Sequence, residues 1–248
     1  MSCSDGSRRI AIIPVYRQIG TVGKVLAKFA NPAVDEICLV IDCPTERLLQ
    51  EIEIAGRDIR IPVHIIKNSR RMGVGYAIRE GIKYALDSRY DTIVVMAGNG
   101  KDDPREIPRL LNPIVKEGYD YVQGSRFLPG ARRIKNPILR GIFSRVYPFI
   151  WTLLTNIRCT DVTNGFRAYK ARIFSDDRIN IRQNWLDGYG FEYYIHYKVL
   201  TLGYKIKEVP VSKVYPYRHR GGYSKIFPLR DWWQVLGPLI CLKLGARK

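Results

Sequence analysis

Cysteine and histidine are scarce in this sequence, and they are scattered. Five cysteines (Cys3, Cys38, Cys43, Cys159, Cys241) and three histidines occur with no C-x-x-C pair and no His/Cys cluster. That excludes a disulfide scaffold and leaves no pattern for structural zinc. It also points to a reducing, cytosolic compartment. Met1–Arg9 is polar and has no apolar stretch, so a secretory signal is not expected. Uninterrupted apolar runs of the ~20 residues that a spanning helix needs are missing too. The nearest are Ile138–Ile157, broken by Arg140 and Arg145, and Leu229–Leu244, broken by Arg230, Asp231 and Lys243. Each is expected to lie on a bilayer surface or to pack as an ordinary core or interface helix, and not to cross a membrane.

Acidic residues are the other shortage. The 23 Asp+Glu face 41 Lys+Arg, a net charge of +18, and the pI is near 9.8. Such an excess implies a polyanionic partner: nucleic acid, an anionic membrane surface or phosphorylated small molecules. No helix-turn-helix, zinc-finger spacing or RNP-like string accompanies the charge, so a nucleic-acid partner is not expected.

What is present is a good core. The 248 residues are 46% hydrophobic, enough for one large α/β domain. Short β-branched runs read as buried strands at Ile10–Val15, Ile37–Ile41, Val63–Ile66, Thr92–Met96 and Tyr121–Gln123. Helix-length amphipathic stretches alternate with them at Val22–Phe29, Thr45–Ile54, Gly75–Leu86 and Ile107–Glu117. This alternation predicts a mostly parallel sheet covered on both faces, with ligands bound beyond the carboxyl ends of the strands. The second half carries the basic apolar stretch, a polar segment Cys159–Arg167, an aromatic helix near Gly190–Leu202, a strand at Lys205–Val211 and a basic Gly-rich loop Arg218–Lys225. We divide the chain into a catalytic domain, 1–227, and an amphipathic tail, 228–248.

The strand ends hold the chemistry. Pro14-Val15-Tyr16-Arg17 follows the first strand, and Asp42, ending the second, suits either a ribose contact or a turn. Arg70-Arg71-Met72-Gly73-Val74-Gly75 precedes a helix, as a phosphate cradle does. Ala97-Gly98-Asn99-Gly100-Lys101-Asp102-Asp103-Pro104 combines small residues, a cation and two carboxylates that suit a divalent ion or a helix cap. Gly124-Ser125-Arg126 ends the fifth strand, and Asp161-Val162-Thr163-Asn164-Gly165-Phe166-Arg167 and Gly222-Tyr223-Ser224-Lys225 lie downstream.

In this order, together with Ile13-Pro14-Val15-Tyr16 and Glu208-Val209-Pro210, these segments resemble the family 2 glycosyltransferases, in the branch of dolichyl-phosphate mannose synthase and other polyprenyl-phosphate glycosyltransferases. The resemblance implies a GT-A-type nucleotide-sugar-binding fold and inverting sugar transfer to a polyprenyl phosphate. A carbohydrate or glycolipid hydroxyl is the alternative acceptor. It implies a GDP- or UDP-linked donor bound by Pro14, Tyr16, Asp42, Arg71, Gly73, Ala97 and Asn99. Donor or acceptor phosphates would meet Ser125, Arg126, Asn164, Arg167, Arg218 (or Arg220), Ser224 and Lys225. The family's Asp-x-Asp pair, which holds Mg²⁺ or Mn²⁺, falls on Ala97 and Asn99, so the usual metal site is missing. Two substitutes are open: Lys101 neutralises the leaving diphosphate directly, or Asn99 and Asp102 form a rearranged metal site. A lipid phosphate attacks without a general base, whereas a hydroxyl needs one. Asp161 is the base candidate or else caps its turn. Glu192 matches the family's acidic position only with a shift. The basic apolar stretches, with Trp151, Trp232 and Trp233, suit the anionic cytosolic face of a membrane.

Overall fold

The computed structural model describes residues 6–29, 33–134, 138–215 and 232–245. The β-branched runs form strands β1 (Arg9–Tyr16), β2 (Glu36–Asp42), β3 (Val63–Asn68), β4 (Thr92–Val95) and β5 (Tyr121–Ser125). Between them lie helices α1 (Val22–Leu26), α2 (Glu46–Arg57), α3 (Val74–Asp87) and α4 (Ile107–Glu117). Local chemistry sets their ends. The Thr45 hydroxyl accepts from the Leu48 N–H and caps α2, and Gly118, in the left-handed region, closes α4. The second half adds β6 (Arg133–Ile134), α5 (Ile138–Thr155), β7 (Arg167–Lys170), α6 (Gly190–Thr201), β8 (Ile206–Pro210), β9 (Lys213–Val214) and α7 (Trp232–Lys243).

Seven strands form one sheet in the order β3-β2-β1-β4-β7-β5-β8, and β6 pairs with β9 separately. Neighbours are parallel except around β7, which runs antiparallel to both β4 and β5. β7 was not expected from the sequence, because its four residues follow directly on the polar segment. The reversal matters for function: β7 starts where the parallel strands end, so the 159–166 segment lands at the carboxyl edge of the sheet.

Alternation along the strands splits the core in two. On one face Val25, Leu48 and Leu110 pack against Ile13, Leu39 and Val122. On the other, Ile78, Ile82 and Ile195 pack against Ile12, Val40 and Tyr169. A third cluster unites Tyr147 and Trp151 of α5 with Tyr193, Leu200 and Leu239. Of the two expectations for the basic apolar segments, surface-lying or core-packed, packing into the core is what their described buried residues show. Trp151 and Tyr147 are buried, and in α7 Leu239 and Leu242 are too. α5 nonetheless keeps one apolar face outside, with Phe149 71% and Leu153 68% exposed.

Candidate active site

The sheet order changes direction at β1: β2 and β3 are laid down on one side of it, and the chain then crosses to place β4 on the other. Such a switch point opens a crevice beyond the strand ends. On the crevice lie Pro14 and Tyr16 of β1, half-buried, and the loop 97–101 after β4, whose Ala97, Asn99 and Lys101 are also half-buried. The exposed Arg71 stacks its guanidinium 4.9 Å over the Tyr16 ring, and Arg17 lies 5.2 Å from it. Gly98 is required here: a Cβ would meet the Gln18 side chain and lie 3.0 Å from Ile13. Gln18 Oε1, buried against Gly98, has no hydrogen-bond partner among the described residues.

Other expected contacts turn inward. Asp42 is buried: Oδ1 accepts from Asn68 Nδ2 and Oδ2 from the N–H groups of Met72 and Gly73, all at 2.9 Å. It anchors the 70–73 loop with both carboxylate oxygens. The phosphate cradle is likewise occupied, since Gly75 and Tyr76 N–H both donate to the Asp187 carbonyl. Gly73 makes that loop possible by its φ of 108°, and Gly75 because a Cβ would collide with the carbonyls of Leu186 and Gly188.

Beneath the crevice lies a buried polar platform. Arg126 donates from Nε and Nη2 to the two oxygens of Asp161, at 2.7 and 2.8 Å. Its Nη1 donates to Tyr215 Oη at 3.1 Å, and Lys101 Nζ sits 5.6 Å over the same Tyr215 ring. Burial pulls the Arg126 pKa down, but the charge and hydrogen bonds of Asp161 more than offset it and hold it above its ordinary value. Asp161 is fully buried and also accepts from the Thr163 N–H, so it is Arg126's counter-ion and no general base. Three further residues expected at phosphates are hydrogen-bonded inside the protein. Ser125 pairs its hydroxyl with Thr160, Asn164 donates to the Gly124 carbonyl, and Arg167 donates to the carbonyls of Val162, Asn164 and Glu192. All three are buried. Arg218, Ser224 and Lys225 lie outside the described residues.

The loop after β4 also lacks the donor set of a divalent ion. Asn99 Oδ1 accepts from the Lys101 N–H, and Asp103 caps the following turn and pairs with Arg105. Asp102 Oδ2 accepts from the Ala97 N–H at 3.0 Å, while Oδ1 is taken by the ammonium of Lys213. Among the described residues no three His, Cys, Asp or Glu side chains gather to hold a metal. These residues do not fit the ion that an Asp-x-Asp pair holds.

Sequence reasoning assigned no role to Lys213, Tyr215 or Glu208. Glu208 accepts from the N–H groups of Thr160 and Asp161 and so fixes the turn that carries Asp161. Burial raises its pKa, opposed by those two N–H groups. A signal for Lys213 was there: in Val211-Ser212-Lys213-Val214-Tyr215 alternation puts the lysine on the buried face. Glu192, in the first turn of α6, faces the platform. Burial raises its pKa, against the pull of Arg167 and Lys213.

The chain is 28% identical over 210 residues to the undecaprenyl-phosphate mannosyltransferase of Micrococcus luteus, covering 84% of each chain. It is 27% identical over 209 residues to the polyprenol monophosphomannose synthase of Mycolicibacterium smegmatis, covering 83% of this chain and 77% of that one. In fold it is similar to glucosyl-3-phosphoglycerate synthase from Mycobacterium tuberculosis solved with UDP, at a TM-score of 0.66 and 15% identity, over 98% of this chain and 82% of that one. With the Glycosyl transferase family 2 profile matched over residues 10–178 at the strand ends just described, the chain belongs to the nucleotide-sugar-dependent glycosyltransferases of family 2.

Proposed function

We propose that this enzyme transfers a sugar, with inversion, from a GDP- or UDP-linked donor to a polyprenyl phosphate while resting on the cytosolic face of a membrane. The observation that carries the reading is the β1/β4 crevice, where a cation and a glycine-bearing loop meet at the switch point. Tyr16 and Arg71 offer a stacked ring and guanidinium to the base. Gly98 and Gly100 let a diphosphate approach the backbone, and Lys101 meets the charge that develops on it as the glycosidic bond breaks. Both curated relatives named above take a lipid-phosphate acceptor by name. A phosphate oxygen is already anionic, so it attacks the anomeric carbon without a base, consistent with an Asp161 committed to Arg126.

The exposed face of α5 supports membrane contact. Val146, Phe149 and Leu153 are exposed at helical spacing on one face while Tyr147 and Trp151 anchor the other. No described helix is long and apolar enough to cross a bilayer. An apolar stripe beside a strongly basic surface binds in the headgroup plane. The second reading, a hydroxyl acceptor, would need a general base.

The test is transfer from labelled nucleotide sugars to polyprenyl phosphate in liposomes. Label in the lipid phase is expected from one donor. Tight donor binding with label only on an added sugar hydroxyl would favour the second reading, and failure of every donor to bind would refute both.

A further inference from the structure

A buried ammonium braces the loop on which the resemblance expects a divalent cation. Lys213 Nζ pairs with Asp102 Oδ1 and donates to Asn164 Oδ1 at 2.9 Å. Two oxygen donors from separate loops thus converge on one positive charge, as they would on a hard cation. The Asp102 side chain is wholly buried and that of Lys213 is 8% exposed. Through its other oxygen Asp102 holds the Ala97 N–H, which is the first Asp-x-Asp position. The strand that delivers Lys213 grips the same loop a second time, because the Val214 N–H donates to the Lys101 carbonyl at 3.0 Å. Lys213 N–H itself donates to the Arg132 carbonyl, so the lysine is fixed at both ends.

Two ion pairs form there without a metal: Lys213 answers Asp102 and Arg126 answers Asp161, while Lys101 lies against Tyr215. A divalent ion reaching Asp102 would have to expel a sealed ammonium and then meet the desolvation cost of a doubly charged ion itself. We propose that this chain binds its nucleoside diphosphate without a divalent cation. In this proposal Lys213 is the positioning residue that shapes the loop 97–102 through Asp102 while Lys101 meets the diphosphate. The inference rests on the nucleotide-sugar reading above.

Calorimetric titration of the full chain with UDP and with GDP, in EDTA and again in Mn²⁺, tests it. The better nucleotide is expected to bind within about fivefold of the same affinity in both buffers. A larger gain with Mn²⁺ overturns the proposal and leaves the donor reading standing. No binding in either buffer overturns both. In Lys213→Ala the oxygens of Asp102 and Asn164 are opened to a hard cation. Its affinity in EDTA is expected to fall at least about tenfold and to recover at least about fivefold with Mn²⁺. A purely structural lysine would show no such recovery, and its absence overturns the part given to Lys213. Should Lys213→Ala fail to fold, Lys213→Met with Asp102→Asn removes both charges at nearly constant volume. That pair is expected to lose at least about tenfold in EDTA, and wild-type affinity would overturn the assignment.

Discussion

Replacing Asp161 by asparagine keeps the shape of the platform and removes its charge. In the native protein the carboxylate accepts from the Arg126 N–H at 3.0 Å, from Nε at 2.7 Å and from Nη2 at 2.8 Å. The side chains are 3% and 0% exposed, so water cannot take over when the charge goes. Breaking a buried pair from one side costs about 3–5 kcal/mol, because the remaining ion stays desolvated. In a chain of this size each kcal/mol shifts Tm by roughly 2–4 °C, so Asp161→Asn should melt about 6–20 °C lower. Arg57 and Glu53 supply the control, since their side chains are 72% and 69% exposed. Glu53→Gln should cost no more than about 0.5 kcal/mol. Circular dichroism melts of the three proteins decide it. An Asp161→Asn curve indistinguishable from that of Glu53→Gln would refute the buried-platform reasoning. The double variant Arg126→Met/Asp161→Leu should recover part of the loss, since a neutral apolar pair leaves no stranded charge.

Gly75→Ala forces a Cβ into the carbonyls of Leu186 and Gly188 and to 2.9 Å from Phe191 Cβ. It should cost about 1–3 kcal/mol as an overpacked contact, read from the urea midpoint, and an unchanged midpoint would contradict the close approach. His196 is held well below its ordinary 6.5, by burial first and by the charge of Arg167 second. The unfolded chain therefore binds the extra proton below about pH 6.5, and stability falls there by up to about 1.4 kcal/mol per unit. The contribution is whole above that pH. Glu192 and Glu208, with raised pKa values, oppose this: their contribution is whole below 4.5 and lost as pH rises through their folded values. Between pH 7 and 5.5 wild type should lose more stability than His196→Phe, and parallel slopes would exclude His196 as the cause. Phe149→Glu with Leu153→Glu puts two charges on the exposed face of α5, so sedimentation with anionic liposomes should drop at least about tenfold with Tm little changed. Equal sedimentation would remove α5 from the membrane contact. Lys101→Ala should lower turnover at least about a hundredfold while the fold persists, and full activity would end its role against the diphosphate.

The strands and helices of the first half were legible because periodicity is a local signal. Val74–Asp87 and Ile107–Glu117 follow the apolar spacing closely, and β1 and β2 are apolar runs rich in β-branched residues. β7 was not legible, since four residues paired between strands from elsewhere carry no pattern of their own. At the site, the sequence marked the right loops but not which way their side chains turn. Asp42, Asp161, Asn164 and Arg167 sit at the carboxyl edge as expected, yet each faces inward and satisfies backbone or a counter-ion. Whether a polar residue at a strand end faces a ligand or supports the loop depends on partners dozens of residues away. Asp102 and Lys213, 111 positions apart, are one such pair.

That inward turn also sorts the charges. The buried cations are answered inside the protein: Arg126 by Asp161, Lys213 by Asp102, Arg167 by three carbonyls. Since the two ion pairs cancel, the excess of +18 lies almost wholly elsewhere. Part of it, in Arg17, Arg70 and Arg71, is exposed at the mouth of the crevice. Fields from exposed charges reach about 8 Å at physiological ionic strength, enough to gather phosphates and anionic headgroups but too short and screened to organise the loop after β4. Organising that loop falls to the buried pairs, which salt barely screens. A single chain thus separates the cations that attract its anionic substrates from the cations that shape the place where they react.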